Sequence, residues 1–253
     1  MTEKKSYSPG EFCWTELATG DWKAAKKFYT SLFGWTADER SMGPDQPPYV
    51  MLQKNGKNVC ALYENKKAQP AWLSYVSVAS ADDAAKKAKS LGAKLLQEPF
   101  DVMDVGRMAN VQDPQGAKIA LWQAKKHKGA DIINEVSAMC WNELYTSDVE
   151  ASRKYYSALF NWKFKISPEY TEVQAGNVGT AGMIQIDDEM KKMGITPHWM
   201  PYFASADADA DVKKAKSLGV KGVFGPHDIP KVGRFAVLND PFGARFAIIK
   251  PEM

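Results

Sequence analysis

Cysteine and histidine are scarce in this chain of 253 residues, which contains three of each. The cysteines, Cys13, Cys60 and Cys140, are far apart and form no CxxC pair. This spacing argues against a disulfide framework and against a structural zinc site, since both need cysteines in characteristic pairs. The three histidines are also separated and form no metal-binding motif.

Long apolar segments and a strong net charge are missing as well. There is no run of roughly 18 apolar residues, so we expect no transmembrane helix. The polar segment MTEKKSYSPGEF lacks the apolar stretch of a signal peptide, and we therefore expect a cytoplasmic protein. The formal net charge is only +3 and the lysines are dispersed, which argues against nucleic acid as a partner.

Known catalytic signatures are missing too. The sequence contains no P-loop, no GxGxxG, no GxSxG and no HExxH. These motifs supply phosphate cradles, a strained serine nucleophile or a pair of zinc ligands. Nucleotide-dependent, serine-hydrolase and zinc-protease functions therefore have no support in the sequence.

An internal repeat organises what is present. The segment from Trp14 to Trp35 aligns without a gap with the segment from Trp141 to Trp162, 127 positions further along. KKAKSLG and a GR…DPxG segment recur at the same spacing, and only the region around Tyr49 aligns with a different spacing. Because such similarity over half a chain indicates duplication, we predict two modules. The predicted modules cover residues 1–128 and 129–253.

Each half is predicted to contain two βαβββ units. In the first unit, Phe12–Leu17 alternates as a strand does, and Trp22–Phe33 has helical spacing with Asp21 as its N-cap. Asn55 and the glycine after it predict a tight hairpin turn between two further strands. The predicted fold class is α+β, with four βαβββ units forming two modules with curved mixed sheets.

This ordered set of motifs resembles the glyoxalase/bleomycin-resistance/extradiol-dioxygenase superfamily, also called vicinal oxygen chelate proteins. Both copies contain an aromatic pair late in the first helix, Phe28-Tyr29 and Tyr155-Tyr156, and a DPxG turn before the final strand. The resemblance covers nearly the whole chain. It implies a tandem two-module member in which the sheet of each module forms a cup.

The resemblance also implies positions for metal ligands, and this sequence departs from the family pattern at those positions. In the family, His, Glu or Gln hold a divalent ion that acts as a Lewis acid on the substrate. None of the side chains found here can bind such an ion, so we predict no metal and no other cofactor. The positions fall on Trp14, Ala120 and near Leu73 in the first module, and on Trp141, Ala247 and near Met200 in the second.

Two glutamates are candidates for catalysis. Each half opens with the pattern W-x-E-L, which places Trp14 and Glu16 on one face of a strand, and likewise Trp141 and Glu143. A carboxyl group inside an aromatic cavity tends to have a raised pKa and could act as a general acid or base. The alternative is a structural ion pair with a nearby cation such as Lys118.

Three pairs of tryptophans recur in the two copies. A repeated tryptophan most often packs in a core, and the pair at the helix ends is predicted to do so. The others are candidates for lining a ligand cavity, which would suit a flat, apolar or aromatic molecule. The predicted ligand-binding tryptophans are Trp14, Trp141, Trp72 and Trp199.

Three further residues are candidates for ligand binding. His198 adjoins the opening strand of the fourth unit and is not repeated in the first half, although a lone histidine is more often structural. Arg107 and Arg234 follow a glycine at the same place in both copies and could hold a ligand carboxylate. The alternative for both arginines is an ion pair, including one with Glu16.

Three functions from different classes remain open at this point. The first is a small-molecule binding protein with a metal-free cup. The second is a lyase-like or hydroxylase/dioxygenase-like enzyme that uses Glu16 or Glu143 as its acid or base. The third is a scaffold whose cup is filled by its own side chains. A small-molecule ligand is the expected partner, and the chain is expected to be a monomer or a homodimer.

Overall fold

The computed structural model describes residues 3–252, in which each half of the chain forms its own eight-stranded sheet. The first half contains, in order, β1 (Phe12–Thr19), α1 (Trp22–Phe33), β2 (Thr36–Arg40), β3 (Tyr49–Lys54), β4 (Lys57–Glu64), β5 (Ala71–Ser77), α2 (Ala81–Ser90), β6 (Lys94–Val102), β7 (Gly106–Gln112) and β8 (Lys118–Ala124).

The second half repeats this order with one additional short helix, α4. It contains β9 (Met139–Thr146), α3 (Val149–Phe160), β10 (Lys163–Ile166), β11 (Thr171–Ala175), β12 (Val178–Gln185), α4 (Asp188–Lys192), β13 (His198–Ala204), α5 (Ala208–Ser217), β14 (Gly222–Ile229), β15 (Gly233–Asn239) and β16 (Arg245–Pro251).

The two sheets have the same strand order, β2-β3-β4-β1-β5-β8-β7-β6 and β10-β11-β12-β9-β13-β16-β15-β14. In each sheet the opening strands of the two βαβββ units pair antiparallel at the centre, as β1 and β5 do, whereas β1 with β4 and β5 with β8 are parallel. The sheets are therefore mixed and open. The predicted α+β class with two glyoxalase-like modules is confirmed.

Local sequence signals explain the helix and hairpin ends. The Asp21 carboxylate accepts a hydrogen bond from the Ala24 N–H and so caps α1, and Gly34 ends the helix in the left-handed region with a φ of 71°. Asn55 and Gly56 both have positive φ, as the short turn between β3 and β4 requires. These predictions are confirmed.

One strand of each half was not predicted. All five residues of β2, from Thr36 to Arg40, are exposed, and β2 pairs only with β3 at the edge of the sheet. A strand with no buried face carries no alternation of apolar and polar residues, which is the signal that sequence reasoning needs. The same reason applies to β10.

The main core lies between the two sheets and is shared by both halves. One face of each sheet packs on the helices and on the other half, so that Phe33 of α1 contacts Phe203 of β13 with ring centroids 5.2 Å apart. Phe12 of β1 lies 5.1 Å from Trp199 in the same way. Within residues 3–252, no helix is long and apolar enough to cross a membrane.

The opposite face of each sheet forms a separate small cluster, which we call cup 1 in the first half and cup 2 in the second. Cup 1 is built on Trp14, Met51, Tyr75, Met108 and Trp122, among others. Cup 2 is built on Met200, Tyr202 and Ala247, with Trp141, Tyr145 and Phe235 packed against them.

Candidate functional site

A buried glutamate lies in cup 1 between two tyrosines. Alternation along β1 places Trp14 and Glu16 on the cup face, and Tyr75 lies on the neighbouring β5. The Tyr75 hydroxyl donates to one carboxylate oxygen of Glu16 at 2.5 Å, and the Tyr49 hydroxyl donates to the other at 2.7 Å. The indole N–H of Trp14 in turn donates to the Tyr49 hydroxyl at 3.2 Å.

Cup 2 contains the same arrangement. Tyr170 and Tyr202 donate to the two carboxylate oxygens of Glu143 at 2.7 and 2.5 Å, and Trp141 donates to the Tyr170 hydroxyl at 3.0 Å. Both carboxyl groups are almost fully buried, and their hydrogen-bond partners are neutral phenols rather than cations. The second half therefore preserves the whole four-residue constellation and not only its glutamate.

Burial raises the pKa of both Glu16 and Glu143, and the phenol hydrogen bonds act in the opposite direction but more weakly. Burial and the neighbouring carboxylate also raise the pKa of Tyr75 and Tyr202 well above 10. The tyrosines therefore stay protonated and act as donors, while each glutamate can exchange a proton.

The side chains of the two cups do not fit a divalent metal ion. Ala120 pairs with Tyr75 on the neighbouring strand, and Ala247 pairs with Tyr202 in the same way, so methyl groups occupy these two expected ligand positions. In each cup, tyrosine hydroxyls already bind both oxygens of the buried glutamate. In cup 2 a second carboxylate, that of Glu172, lies beside Gly179 and accepts hydrogen bonds from Lys165 and Gln174. Across residues 3–252, no group of three or more His, Cys, Asp and Glu side chains could hold a metal ion.

The structure places Trp72 and Trp199 away from the cups, contrary to the prediction. In β5, Leu73 and Tyr75 share the cup face, so alternation turns Trp72 to the opposite face and into the main core. There its indole N–H donates to the Tyr29 hydroxyl at 3.1 Å, and Trp199 makes the equivalent bond to Tyr156 at 2.8 Å.

The two candidate arginines lie in surface ion pairs and not beside the buried glutamates. Arg107 forms a two-pronged contact with Asp82, at 2.6 and 2.8 Å, and lies 3.5 Å from Asp101. Arg234 contacts Asp209 at 2.6 Å in the same manner, with Asp228 as its second partner. Because these carboxylates already satisfy the guanidinium groups, the ion-pair alternative describes their contacts best.

One largely buried histidine adjoins each cup, and the two come from different places in the repeat. His198 stacks on Tyr145 of cup 2 with centroids 5.0 Å apart, and its Nδ1 lies 2.7 Å from the Thr196 carbonyl oxygen. The linker between β8 and β9 comprises residues 125–138. In cup 1, His127 from this linker stands edge-on to Trp14, with the ring centroids 4.7 Å apart. The Nε2 of each ring is buried without a hydrogen-bond partner among the described residues.

The two cups differ in how far they are covered. Trp14 is only 2% exposed, whereas Trp141 is half-buried and lines a cavity of about 240 Å³. The cavity lies between the first residues of β9, the hairpin of β11 and β12, and the N-terminal segment; its walls include Cys140, Gly179, Tyr7 and Asn134. The second module therefore offers an accessible site beside its tryptophan.

Sequence reasoning missed four tyrosines and one histidine of these sites. Tyr75 and Tyr202 are repeat mates, and Tyr49 aligns with Tyr170, so a search for repeated polar residues on cup-facing positions would have found them. His127 has no repeat mate and lies in the linker, so no pattern in the sequence marks it.

Comparison with known proteins gives consistent results. The chain matches the sequence profile of the "Glyoxalase/Bleomycin resistance protein/Dioxygenase superfamily" over residues 12–121 and 132–248. It is 36% identical to CFP32 of Mycobacterium tuberculosis, provisionally named a glyoxylase, with 99% of this chain and 98% of that protein covered. It is 30% identical to the anthracycline biosynthesis protein DnrV of Streptomyces peucetius, over 96% of this chain and 94% of that protein.

Solved structures show the same fold at low sequence identity. The Mn(II)-bound glyoxalase of Novosphingobium aromaticivorans superposes with a TM-score of 0.68 at 13% identity, covering 96% of this chain and 82% of that one. An extradiol ring-cleaving dioxygenase of B. fuscum gives 0.68 at 16% identity, covering 100% and 75%. The family match spans most of both halves and confirms the resemblance inferred from the repeat. The chain therefore belongs to the glyoxalase/bleomycin resistance protein/dioxygenase superfamily.

Proposed function

We propose that the second module binds a small, flat, apolar or aromatic molecule beside Trp141, without a metal ion. The observation that carries this proposal is the accessible indole of Trp141 at a cavity of about 240 Å³, next to a cup lined by Tyr145, Tyr170 and Tyr202. Aromatic walls with a few fixed polar groups are typical of small-molecule sites.

The polar groups of cup 2 support a role in orienting such a ligand. Glu143 and its two tyrosines form a closed set of hydrogen bonds, while the Nε2 of His198 is buried with no partner among the described residues. His198 pairs with Tyr145, four residues along β9 from Trp141, and does not line the cavity, so only a ligand that extends from Trp141 along β9 would reach this nitrogen. A planar molecule with one polar substituent fits this combination.

The metal-free part of the proposal rests on the donor set. Trp141 and Ala247 stand at the family's ligand positions, and the Glu143 oxygens are already engaged by phenols. One relative, DnrV, is named for anthracycline biosynthesis, and anthracyclines are flat polycyclic aromatic compounds. This name supports an aromatic ligand class for the present chain.

The first module fits the ligand-free alternative. The linker and the ring of His127 cover Trp14, and the buried side chains of Met51, Met108 and Trp122 surround it. We therefore expect binding in cup 2 only.

A titration with a water-soluble anthraquinone, followed by calorimetry, tests the proposal. We expect saturable binding at a stoichiometry of about one per chain that is unchanged after dialysis against a chelator. Trp141→Ala should abolish binding, whereas its repeat mate Trp14→Ala serves as the matched control and should retain it. Binding that appears only after Mn(II) or Fe(II) is added would contradict the proposal.

A second candidate function follows from the raised pKa of Glu143. A buried carboxyl group with a raised pKa could transfer a proton to or from a ligand in cup 2, as a lyase-like or hydroxylase-like enzyme would require. Turnover of aromatic or carbonyl substrates should then disappear in Glu143→Gln and persist in Glu16→Gln. Equal turnover in both variants would eliminate this mechanism.

A further inference from the structure

The linker of the first module fills a gap at the mouth of cup 1. The strands β1 and β4 pair only from Glu16 onward, and before that point the linker lies between them. The Ala130 N–H donates to the Cys13 carbonyl at 2.8 Å, and the Asp131 N–H donates to the Asn58 carbonyl at 2.8 Å. The Asn58 N–H returns a bond to the Asp131 carboxylate at 2.8 Å.

Side-chain contacts fix this segment further. The ring of His127 covers Trp14, and Tyr7 donates its hydroxyl to the Ala130 carbonyl at 2.9 Å. A Cβ on Gly129 would lie 2.3 Å from the Cys13 carbonyl oxygen, so the close approach of the two backbones requires glycine there. Lys128 lies 3.1 Å from the Asp131 carboxylate.

The second module presents the same binding groups around its cavity. Cys140 is the repeat mate of Cys13, and each lies at the same irregularity in the pairing of its opening strand. Gly179 pairs with Gln174 next to a bulge, and Asn58 pairs with Gln53 next to an equivalent bulge. The backbone N–H and C=O of Gly179 therefore point in the same direction as those of Asn58. Both Cys140 and Gly179 line the cavity of about 240 Å³.

Nothing within residues 3–252 repeats the linker's bonds to Cys140 and Gly179. The N-terminal segment borders the cavity but does not make these bonds, and its Lys4 N–H donates to the Asp131 carbonyl at 2.8 Å instead. The repeat mate of Tyr7 is Asn134, which lines the cavity. Lys4 lines it too, and its ammonium group is paired with the Glu11 carboxylate at 3.1 Å.

We propose that this cavity binds an extended peptide segment with the pattern aromatic ring, any residue, glycine, small residue, acidic residue. The ring would lie on Trp141, and the backbone would bond to the Cys140 carbonyl and to Gly179. The acidic side chain would accept the Gly179 N–H, as the carboxylate of Asp131 accepts that of Asn58. Backbone pairing of this kind gives affinity, and the glycine and acidic positions give specificity. The inference goes beyond the proposed small-molecule site, with which it shares Trp141.

The test uses the peptide Ac-His-Lys-Gly-Ala-Asp-NH2 and the full chain labelled with nitrogen-15. Titration should give a saturable shift of the Gly179 amide resonance and of the Trp141 indole resonance, whereas the Asn58 amide, already bonded, should not move. A peptide with alanine in place of glycine should bind at least about tenfold more weakly because its methyl group collides with a carbonyl. Replacing aspartate by alanine should weaken binding by a similar factor.

A blocking variant provides the control on the protein. Gly179→Leu fills the cavity, since a Cβ there lies 3.0 Å from the exposed-side carboxylate of Glu172, which can move, and 3.5 Å from the Trp141 ring. It should abolish peptide binding with the thermal unfolding temperature retained. If that variant does not fold, the two altered peptides decide the matter on the wild-type chain. Failure of the Gly179 resonance to shift, or equal binding of the alanine peptide, would overturn the inference. Anthraquinone binding without peptide binding would overturn only the peptide inference. Peptide binding without anthraquinone binding would overturn only the proposed small-molecule function.

Discussion

At the scale of single residues, the buried glutamates are the least expected feature of the protein. An isolated carboxylate in an apolar environment is costly, and proteins usually pair it with a cation. Here Glu16 and Glu143 have two phenol donors each instead. The two phenol bonds favour the ionised carboxyl group, because both of its oxygens accept, whereas burial favours the neutral form and is the larger effect.

The raised pKa predicts a specific dependence of stability on pH. Because the folded pKa of each glutamate lies above its usual 4.5, the stability it contributes is fully present below about pH 4.5 and is lost as the pH rises through the folded pKa. Glutamine cannot ionise. The free energy of unfolding of the double variant Glu16→Gln/Glu143→Gln, relative to that of wild type, should therefore increase as the pH rises above about 4.5 in urea titrations. A difference that does not change with pH would contradict this expectation.

One glycine makes room for the constellation in cup 2. A Cβ on Gly182 would lie 1.8 Å from the Tyr170 hydroxyl oxygen, whereas its counterpart in cup 1 is Ala61, which already carries a methyl group. Gly182→Ala should displace Tyr170 from Glu143 and lower the free energy of unfolding by about 1–3 kcal/mol. Urea unfolding measures this loss, and Ala61→Gly is the matched control, with an expected cost of about 1 kcal/mol or less.

At the scale of elements, the linker between the modules determines which cup is open. The segment around Ala130 bonds to β1 and β4 and covers cup 1, while the equivalent gap in the second module remains a cavity. Two modules with the same strand order and the same glutamate, tyrosine and tryptophan set therefore differ in access to their tryptophans because of a few residues outside the repeat.

Substitution of Gly129 should release this cover. Gly129 has a φ of 121°, and a Cβ at this position would lie 2.3 Å from the Cys13 carbonyl oxygen. A valine there would therefore collide with β1 and would have a strained backbone. Gly129→Val should expose Trp14 and reduce the free energy of unfolding by more than about 1 kcal/mol. Hydrogen exchange of the Ala130 amide checks the loss of cover, and unchanged protection would refute it.

Acid should weaken the same cover through His127. Burial lowers the pKa of His127 to about 4, with a smaller contribution from Arg40. Because the pKa of His127 is lower in the folded chain than in the unfolded chain, the stability contributed by the neutral ring is fully present above about pH 6.5. It is lost as the pH falls through about 4. Protection of the Ala130 amide, corrected for intrinsic exchange, should fall over this range in wild type but not in His127→Leu. The same decline in both would show that another group is responsible.

At the scale of the whole molecule, the modules are bound together by reciprocal contacts. The Tyr29 hydroxyl of the first module donates to Asp240 in the DPxG turn of the second at 2.8 Å, and Tyr156 of the second donates to Asp113 of the first at 2.8 Å. Each turn aspartate also accepts backbone N–H bonds within its own turn. Since each module completes the other's core within one chain, a monomer meets the packing requirement, and the oligomeric state remains a prediction.

Removing one reciprocal bond should be costly. Tyr29→Phe leaves a buried oxygen of Asp240 without its donor and the Trp72 indole N–H without its acceptor, and it should lower the free energy of unfolding by about 1–3 kcal/mol. Tyr155→Phe is a matched control, since the Tyr155 hydroxyl is buried without a hydrogen-bond partner within residues 3–252 and Phe28 stands at the equivalent place in the first module. Urea unfolding compares the two, and equal losses would refute the role of the bond.

Much of the architecture follows from the order of residues alone. The repeat, the helix beginning at Trp22, its cap at Asp21 and the hairpin at Asn55 depend on neighbours within a few positions, where spacing and turn chemistry decide the outcome. The replacement of metal-binding side chains by Trp14 and Ala120 is also visible in the sequence. Local interactions are sufficient to specify all of these features.

The remaining features needed the tertiary structure. Which tyrosines reach Glu16 depends on strands that are 33 and 59 positions away in the chain. The sequence predicts Trp72 in a cup, whereas the register of β5 directs its side chain into the main core. The covering of cup 1 depends on a linker more than 100 positions from Trp14, bound through backbone groups that every residue possesses. The linker's backbone contacts leave no pattern of residue types, so the sequence shows the repeated glutamates and tyrosines of the two cups, while only the packed chain decides which cup is open.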